Sequence, residues 1–189
     1  MAPSDRTAVR RHPERGTYET SVIHDILDAS LICHVGFVHD GAPVVIPTIH
    51  ARQDDTLYLH GSAASRMLRS LAGGVDVCVT ATLVDGVVLA KSWFRHSLNY
   101  RSVVVMGRAA LVEEPAAKVE ALRVIVDHVR PGRSAQTRPP SATELAATSV
   151  LALPLAECSA KRRTGPPVDD PVDADLAVWT GVVPVSDPR

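Results

Sequence analysis

The sequence predicts a mixed α/β, mainly β domain: an antiparallel sheet of about six strands closed into a barrel, with peripheral helices. Three observations predict it. Short β-branched and aromatic runs follow one another closely along the chain. Asp-Gly pairs and other turn residues separate several of them, and short hairpin connections make neighbouring strands antiparallel. A Gly-rich strand-to-helix fingerprint is missing; Gly73–Gly74 precedes a strand, the wrong context for a doubly wound nucleotide fold.

In chain order, residues 1–16 read as a mobile N-terminal arm, because charged residues and prolines leave little apolar surface to bury. Residues 17–185 make the single domain. Thr17–Ser30 is expected to be a short helix with Val22, Ile23, Ile26 and Leu27 on one face, capped by Thr20 or Ser21. The run from Leu31 to Val38 is a strand that turns at His39–Asp40–Gly41 into Pro43–Ala51. Pro47 places this second strand at an edge or a bulge, since proline donates no ladder hydrogen bond. Thr56–His60 completes a meander, and Ser62–Leu71 has helical spacing. Val75–Leu83 and Val87–Phe94 read as a hairpin around Asp85–Gly86, and Ser102–Val112 as the next strand. Glu114–Val129 is the longest helix, with Pro115 in its first turn and Pro131–Gly132 ending it. Ser141–Ala147 makes one or two helical turns, Thr148–Glu157 a last long strand, and Arg162–Asp175 a surface excursion before the apolar Val178–Val185.

The bulk properties narrow the function. A chain of 189 residues buries a core without staples. A formal net charge of −1 lacks the basic footprint of a nucleic-acid binder. The apolar runs are too short to span a bilayer, and the polar start MAPSDRTAVRRHPERG has no signal-peptide core, so a cytoplasmic protein is expected. Cys33, Cys78 and Cys158 lie in apolar stretches without metal spacing and read as buried, inert thiols. The eight histidines form no H-x-x-x-H or H-E-x-x-H pair, which argues against a zinc site.

Three clusters carry candidate chemistry. His60, Gly61, Ser62, Ser65 and Arg66 lie where a strand hands over to a helix, and a helix N-terminus with hydroxyls and a guanidinium suits a phosphate. The same residues also suit an ordinary capped helix, with Ser62 as N-cap and Arg66 solvated. His96–Ser97–Leu98–Asn99–Tyr100–Arg101 is a dense polar segment between apolar strands, either a site loop or a solvated turn. Thr48 and His50 share one face of the strand around Pro47, where they either line a pocket or meet solvent.

The segments HVGFV, DG-x-PVVIPT, LYLHGSAASRMLR, VCVTATLVDGVVLAKS, HSLNYRSVVVMGRA, AECSAKRRTGPP and VWTGVVP occur in order. Together they resemble the flavin-nucleotide-binding proteins related to the nitroimidazole-resistance proteins, within the pyridoxamine 5'-phosphate oxidase-like split-barrel superfamily. The resemblance runs from about Glu14 to Pro184, and HSLNYRSVVV is its most specific piece. It implies a six-stranded split barrel and a homodimer with FMN at the subunit interface. It implies that Ile46, Pro47 and Thr48 run beside the flavin and that His60, Gly61, Ser62, Ser65 and Arg66 surround its phosphate. Asn99 and Arg101 would belong to the same site or its dimer wall, with Lys161 and Trp179 as further cofactor-binding positions. His50 stands where the family usually has an aromatic such as Tyr, and would face the pocket.

The expected function is an FMN-dependent oxidoreductase acting on a small organic substrate, with His50 or His96 as the catalytic proton donor. The alternatives are a non-catalytic flavin-binding protein or sensor, a protein using deazaflavin, and a haem protein ligated through His50 or His60.

Overall fold

The computed structural model describes residues 4–185. Among them, ten strands form one antiparallel sheet. They are β1 (Gly16–Thr17), β2 (Ile32–His39), β3 (Ala42–Gln53), β4 (Thr56–Ser62), β5 (Val77–Leu89), β6 (Ser97–Gly107), β7 (Ala110–Leu111), β8 (Thr148–Pro154), β9 (Glu157–Arg163) and β10 (Gly181–Pro184). The order is β1-β9-β6-β5-β2-β3-β4-β8-β7, with β10 added to β5. The end strands do not pair, so the barrel is split, as the sequence implies.

The core lies inside the curl of this sheet. Val35, Leu57, Leu59, Val79, Val103, Val105, Leu151 and Leu153 alternate inward along their strands and are fully buried. Each such side chain contributes about 1.5–3 kcal/mol by leaving water. Helix α1 (Thr20–Ala29) fills the interior with Ile23, Ile26 and Leu27. Its N-cap is Glu19, without a side-chain bond, rather than Thr20 or Ser21, which stand inside the helix. Helix α2 (Arg66–Ala72) adds Met67, Leu68 and Leu71. Helix α3 (Pro115–Val129) packs on β3, β4 and β8 through Ala121 and Ile125. The Glu114 carboxylate caps α3 by accepting from the amides of Ala116 and Ala117, which holds its pKa below the usual carboxylate range. Helix α4 (Ala142–Ala147) opens with a Ser141–Glu144 capping box.

The first hairpin forms as expected: Asp40 (φ 50°) and Gly41 (φ 76°) both adopt the left-handed conformation of a tight β-turn. Asp85–Gly86 does not make a second one. Residues 77–89 are a single strand, and the register slips between Val84 and Gly86 as a β-bulge. Strand β10 lies so close there that a Cβ on Gly86 would meet Val182 Cγ1 at 2.7 Å, while the Asp85 carboxylate accepts from Arg101 of β6 at 2.7 Å. An Asp-Gly pair serves a turn or a bulge equally well, and these long-range partners decide for the bulge. Two further expectations change. The polar segment Ser97–Arg101 is strand, not loop, held between β5 and β9. The expected strand Thr148–Glu157 is broken at Leu155–Ala156 into β8 and β9.

The N-terminal segment lies along the barrel. Met1–Pro3 of the expected arm fall outside the described residues. From Ser4 onward Thr7 is buried, Ser4 and Arg6 bond Glu157, and the Val9 amide donates to the Tyr18 hydroxyl.

Candidate functional site

Two places concentrate unsatisfied polar chemistry, and strand β3 creates the first. Its residues 42–49 pair with β2, and its residues 50–53 pair with β4. The last β3–β4 pair is His50–Leu59; beyond it, residues 60–62 of β4 are unmatched on the β3 side and pair only with β8. Continuing the register would set Pro47 opposite Ser62, but the strands part there instead. The result is a cleft with Ile46–Thr48 on one wall and His60–Ser62 on the other. Proline at 47 suits this wall: one side of the strand pairs with β2 and the other is an open edge, as the sequence implies.

The far end of the cleft meets the N-terminus of α2. Ser65 is its N-cap yet makes no side-chain capping bond. The Ser62 hydroxyl accepts from the Ala64 amide at 3.2 Å, a turn contact rather than a helix cap. Arg66 is exposed and has no ion pair or hydrogen bond among the described residues. Gly61 backs onto Leu68, whose Cδ1 lies 3.2 Å from where a Cβ would stand. Two expected clusters, around Pro47 and around His60, thus come together. The Ser62 and Ser65 hydroxyls, the Arg66 guanidinium and the first amides of α2 lie within one short segment, a set of groups that suits a phosphate-bearing ligand.

His50 does not line this cleft. It is fully buried, its Nε2 donates to the Leu27 carbonyl at 3.0 Å, and its ring lies 5.2 Å from that of His128. Burial pushes its pKa down to about 4, so near neutrality it holds no extra proton to donate. Both the proton-donor and the haem-ligand roles expected of His50 fail on this burial. His60 sits on a cleft strand with its pKa lowered by burial and its Nδ1 buried without a partner.

Asn99 and Arg101 lie elsewhere. Strand β6 is three strand spacings from β3, about 14 Å away. Asn99 is buried; its amide donates to the Gly165 carbonyl at 3.1 Å and accepts from Arg163. Arg101 is tied to Asp85. Both are buttresses of their own chain. Trp179 is exposed and lays its ring over Gly181 beside β5.

The second place is a cavity of about 630 Å³ at the β9 edge of the sheet. Arg11, Arg15, Arg95, Lys161 and Arg163 line it together with His12 and His96. Phe94, 89% exposed, stands at its side next to Trp93, 97% exposed. The His96 Nδ1 donates to the Ser92 carbonyl at 2.8 Å, and its Nε2 has no partner among the described residues. Sequence reasoning found His96 and Lys161 but missed Arg11, His12 and Arg15. The signal was there as a cluster of positive charge, RRHPER, in an almost neutral chain.

The sequence profile of the pyridoxamine 5'-phosphate oxidase family matches residues 19–162. The chain belongs to this family. Among solved structures, this pyridoxamine 5'-phosphate oxidase-like chain is similar to the flavocytochrome Anf3 from Azotobacter vinelandii, with 42% identity and a TM-score of 0.90, over 100% of this chain and 91% of that one. It is similar to the FAD and haem binding protein from Mycobacterium smegmatis, with 37% identity and a TM-score of 0.86, over 90% and 84%. A Bacteroides thetaiotaomicron protein assigned to 5-nitroimidazole antibiotic resistance shares the fold at 23% identity and a TM-score of 0.64, over 77% and 85%. No curated protein matches. Membership of the pyridoxamine 5'-phosphate oxidase-like family fixes the scaffold and not the reaction.

Proposed function

We propose that this chain is a flavin-dependent redox protein that acts as a homodimer on a small organic substrate and, like the flavocytochromes it resembles, also takes a haem. The observation that carries the flavin reading is the parting of β3 from β4 beside the uncapped start of α2. Support also comes from full-length similarity to a flavocytochrome and from similarity to an FAD and haem binding protein.

Ser62, Ser65 and Arg66 would hold the flavin phosphate, and the open edge of Ile46–Thr48 would run beside the ring. When bound, the flavin supplies one- or two-electron transfer. The protein binds and orients it and keeps water from one side. The homodimer is supported by exposed apolar residues on β2 and β3. Ile32, Val38 and Val45 are 52%, 59% and 65% exposed, and a second copy would cover them together with the open cleft wall. The haem part of the reading is supported by the similarity to the flavocytochrome and to the FAD and haem binding protein.

The deciding measurement is the absorption spectrum of the protein after incubation with FMN or FAD and removal of excess. Flavin bands that stay with the protein support the reading, and chromatography of the released flavin separates FMN from FAD. Sedimentation equilibrium then reads the dimer. A monomer that retains neither flavin ends the proposal.

A further inference from the structure

We infer that the basic cavity at the β9 edge is a binding site for a free nucleotide carrying two or more phosphates, separate from the cleft between β3 and β4.

Charge points to a polyanion. Arg11, Arg15, Arg95, Lys161 and Arg163 line this cavity of about 630 Å³, and none of its lining residues is Asp or Glu. Two of the five cations are compensated from outside the lining, Arg15 by Glu14 at 3.7 Å and Arg95 by Asp170 at 3.3 Å. The other three have no carboxylate within ion-pair reach among the described residues. The Lys161 ammonium donates to the Arg11 carbonyl at 2.8 Å, a neutral acceptor. The half-buried Arg163 guanidinium likewise donates only to neutral oxygens, those of the Asn99 side chain and the Gly165 and Pro166 carbonyls. Arg11 makes no hydrogen bond through its side chain among the described residues. Like charges gathered without a counter-ion repel one another, most where solvent is partly excluded. A ligand with two or more negative charges relieves that repulsion, and guanidinium groups grip phosphate oxygens in pairs.

Shape and apolar surface point to a nucleotide and not to a bare anion. The volume falls within the range of roughly 300–1,000 Å³ found for small-molecule sites. A smaller cavity of about 370 Å³ shares Arg15, Arg163 and Val168 with the first and extends the space to Arg162, Thr164 and Gly165. Phe94 and Tyr100 line the larger cavity only. An elongated ligand would therefore lay a flat heterocycle against these rings and run its phosphates towards Arg163. Arg95 stands 5.8 Å from the Phe94 ring centroid, so ring and cation serve the same end of the ligand. The site is distinct from the cleft, because β9 lies four places from β3 in the sheet order.

The test is isothermal titration calorimetry with ADP, and with pyrophosphate and adenosine as its two halves. It uses the protein as purified and after loading with FMN or with FAD. The wild type is expected to take one ADP per chain, with each half at least tenfold weaker. Arg11→Ala, which breaks no bond of the fold, is expected to weaken ADP about tenfold at an unchanged melting temperature. Phe94→Ala is expected to weaken ADP and leave pyrophosphate as it was. Arg123→Ala, on the outer face of α3, should match the wild type. ADP binding by a protein that takes up no flavin would leave this inference standing while the flavin reading fails. A wild type that binds no ADP overturns the inference. Pyrophosphate bound as tightly as ADP overturns the nucleotide and leaves a plain anion site. Loss of ADP binding on loading with FAD but not with FMN would give the cavity to the tail of the flavin itself and overturn a separate site. Wild-type affinity in both Arg11→Ala and Phe94→Ala overturns the location.

Discussion

The cleft and the basic cavity are built by different means, the first between two interior strands of the sheet and the second at its β9 edge. The cleft is made by backbone: two strands that share a ladder and then separate, leaving an open edge and an uncapped helix start. The basic cavity is made by side chains drawn from the N-terminal segment, the 3-10 turn before β6, and β9. A backbone cleft discriminates by shape and hydrogen-bond geometry. A cage of guanidinium groups discriminates by charge, and its strength follows ionic strength. The difference teaches that one fold offers two independent addresses, and four measurements sharpen or break that division.

The largest effect is expected from acid. His50 closes the last β3–β4 pair, and burial lowers its folded pKa from 6.5 to about 4. Below pH 6.5 the unfolded chain takes up a proton that the folded chain refuses, so stability falls as pH drops toward 4 and is full above 6.5. The loss amounts to up to about 3 kcal/mol, read as the pH dependence of urea midpoints. His50→Gln, which keeps a donor for the Leu27 carbonyl, is expected to flatten that slope; an unchanged slope would show that another group titrates.

Next is Arg66→Ala. Losing a charge-assisted hydrogen bond to phosphate costs about 1.5–3 kcal/mol, or roughly 10- to 100-fold in flavin affinity by fluorescence titration. ADP binding should stay as it was. Equal loss of both ligands would merge the two sites into one. A smaller effect is expected from salt: raising sodium chloride from low to high concentration should weaken an anionic occupant of the basic cavity several-fold more than flavin in the cleft. The smallest is Asn99→Ala, which removes the tie between β6 and residues 163–165. It should lower stability by about 1 kcal/mol in thermal unfolding and loosen the wall of the basic cavity without changing flavin affinity.

How far the sequence discloses this arrangement depends on range. Where neighbours in the chain decide the structure, the reading is good: the Asp40–Gly41 hairpin, the Pro115 start of α3 and the alternation of buried valines are all local matters. The strand-to-helix junction from Ser62 to Arg66 is legible for the same reason, because such a junction is a local event. Where partners far along the chain decide, it fails. The Asp85–Gly86 bulge needs Arg101 and β10, and the burial of His50 needs α1 and α3, neither of which alternation along β3 reveals. The basic cavity is the extreme case. Arg11 and Arg163 are far apart in sequence, and only the course of the N-terminal segment along β9 brings them together.

The branching of β3 has a mechanical consequence. The cleft opens within an uninterrupted strand, so its width is set by the twist of two hydrogen-bonded ribbons and not by a hinge or a lid. A seat of that stiffness relaxes little when the charge of its guest changes. For a bound flavin, little relaxation would mean a small rearrangement barrier for each electron gained or given up.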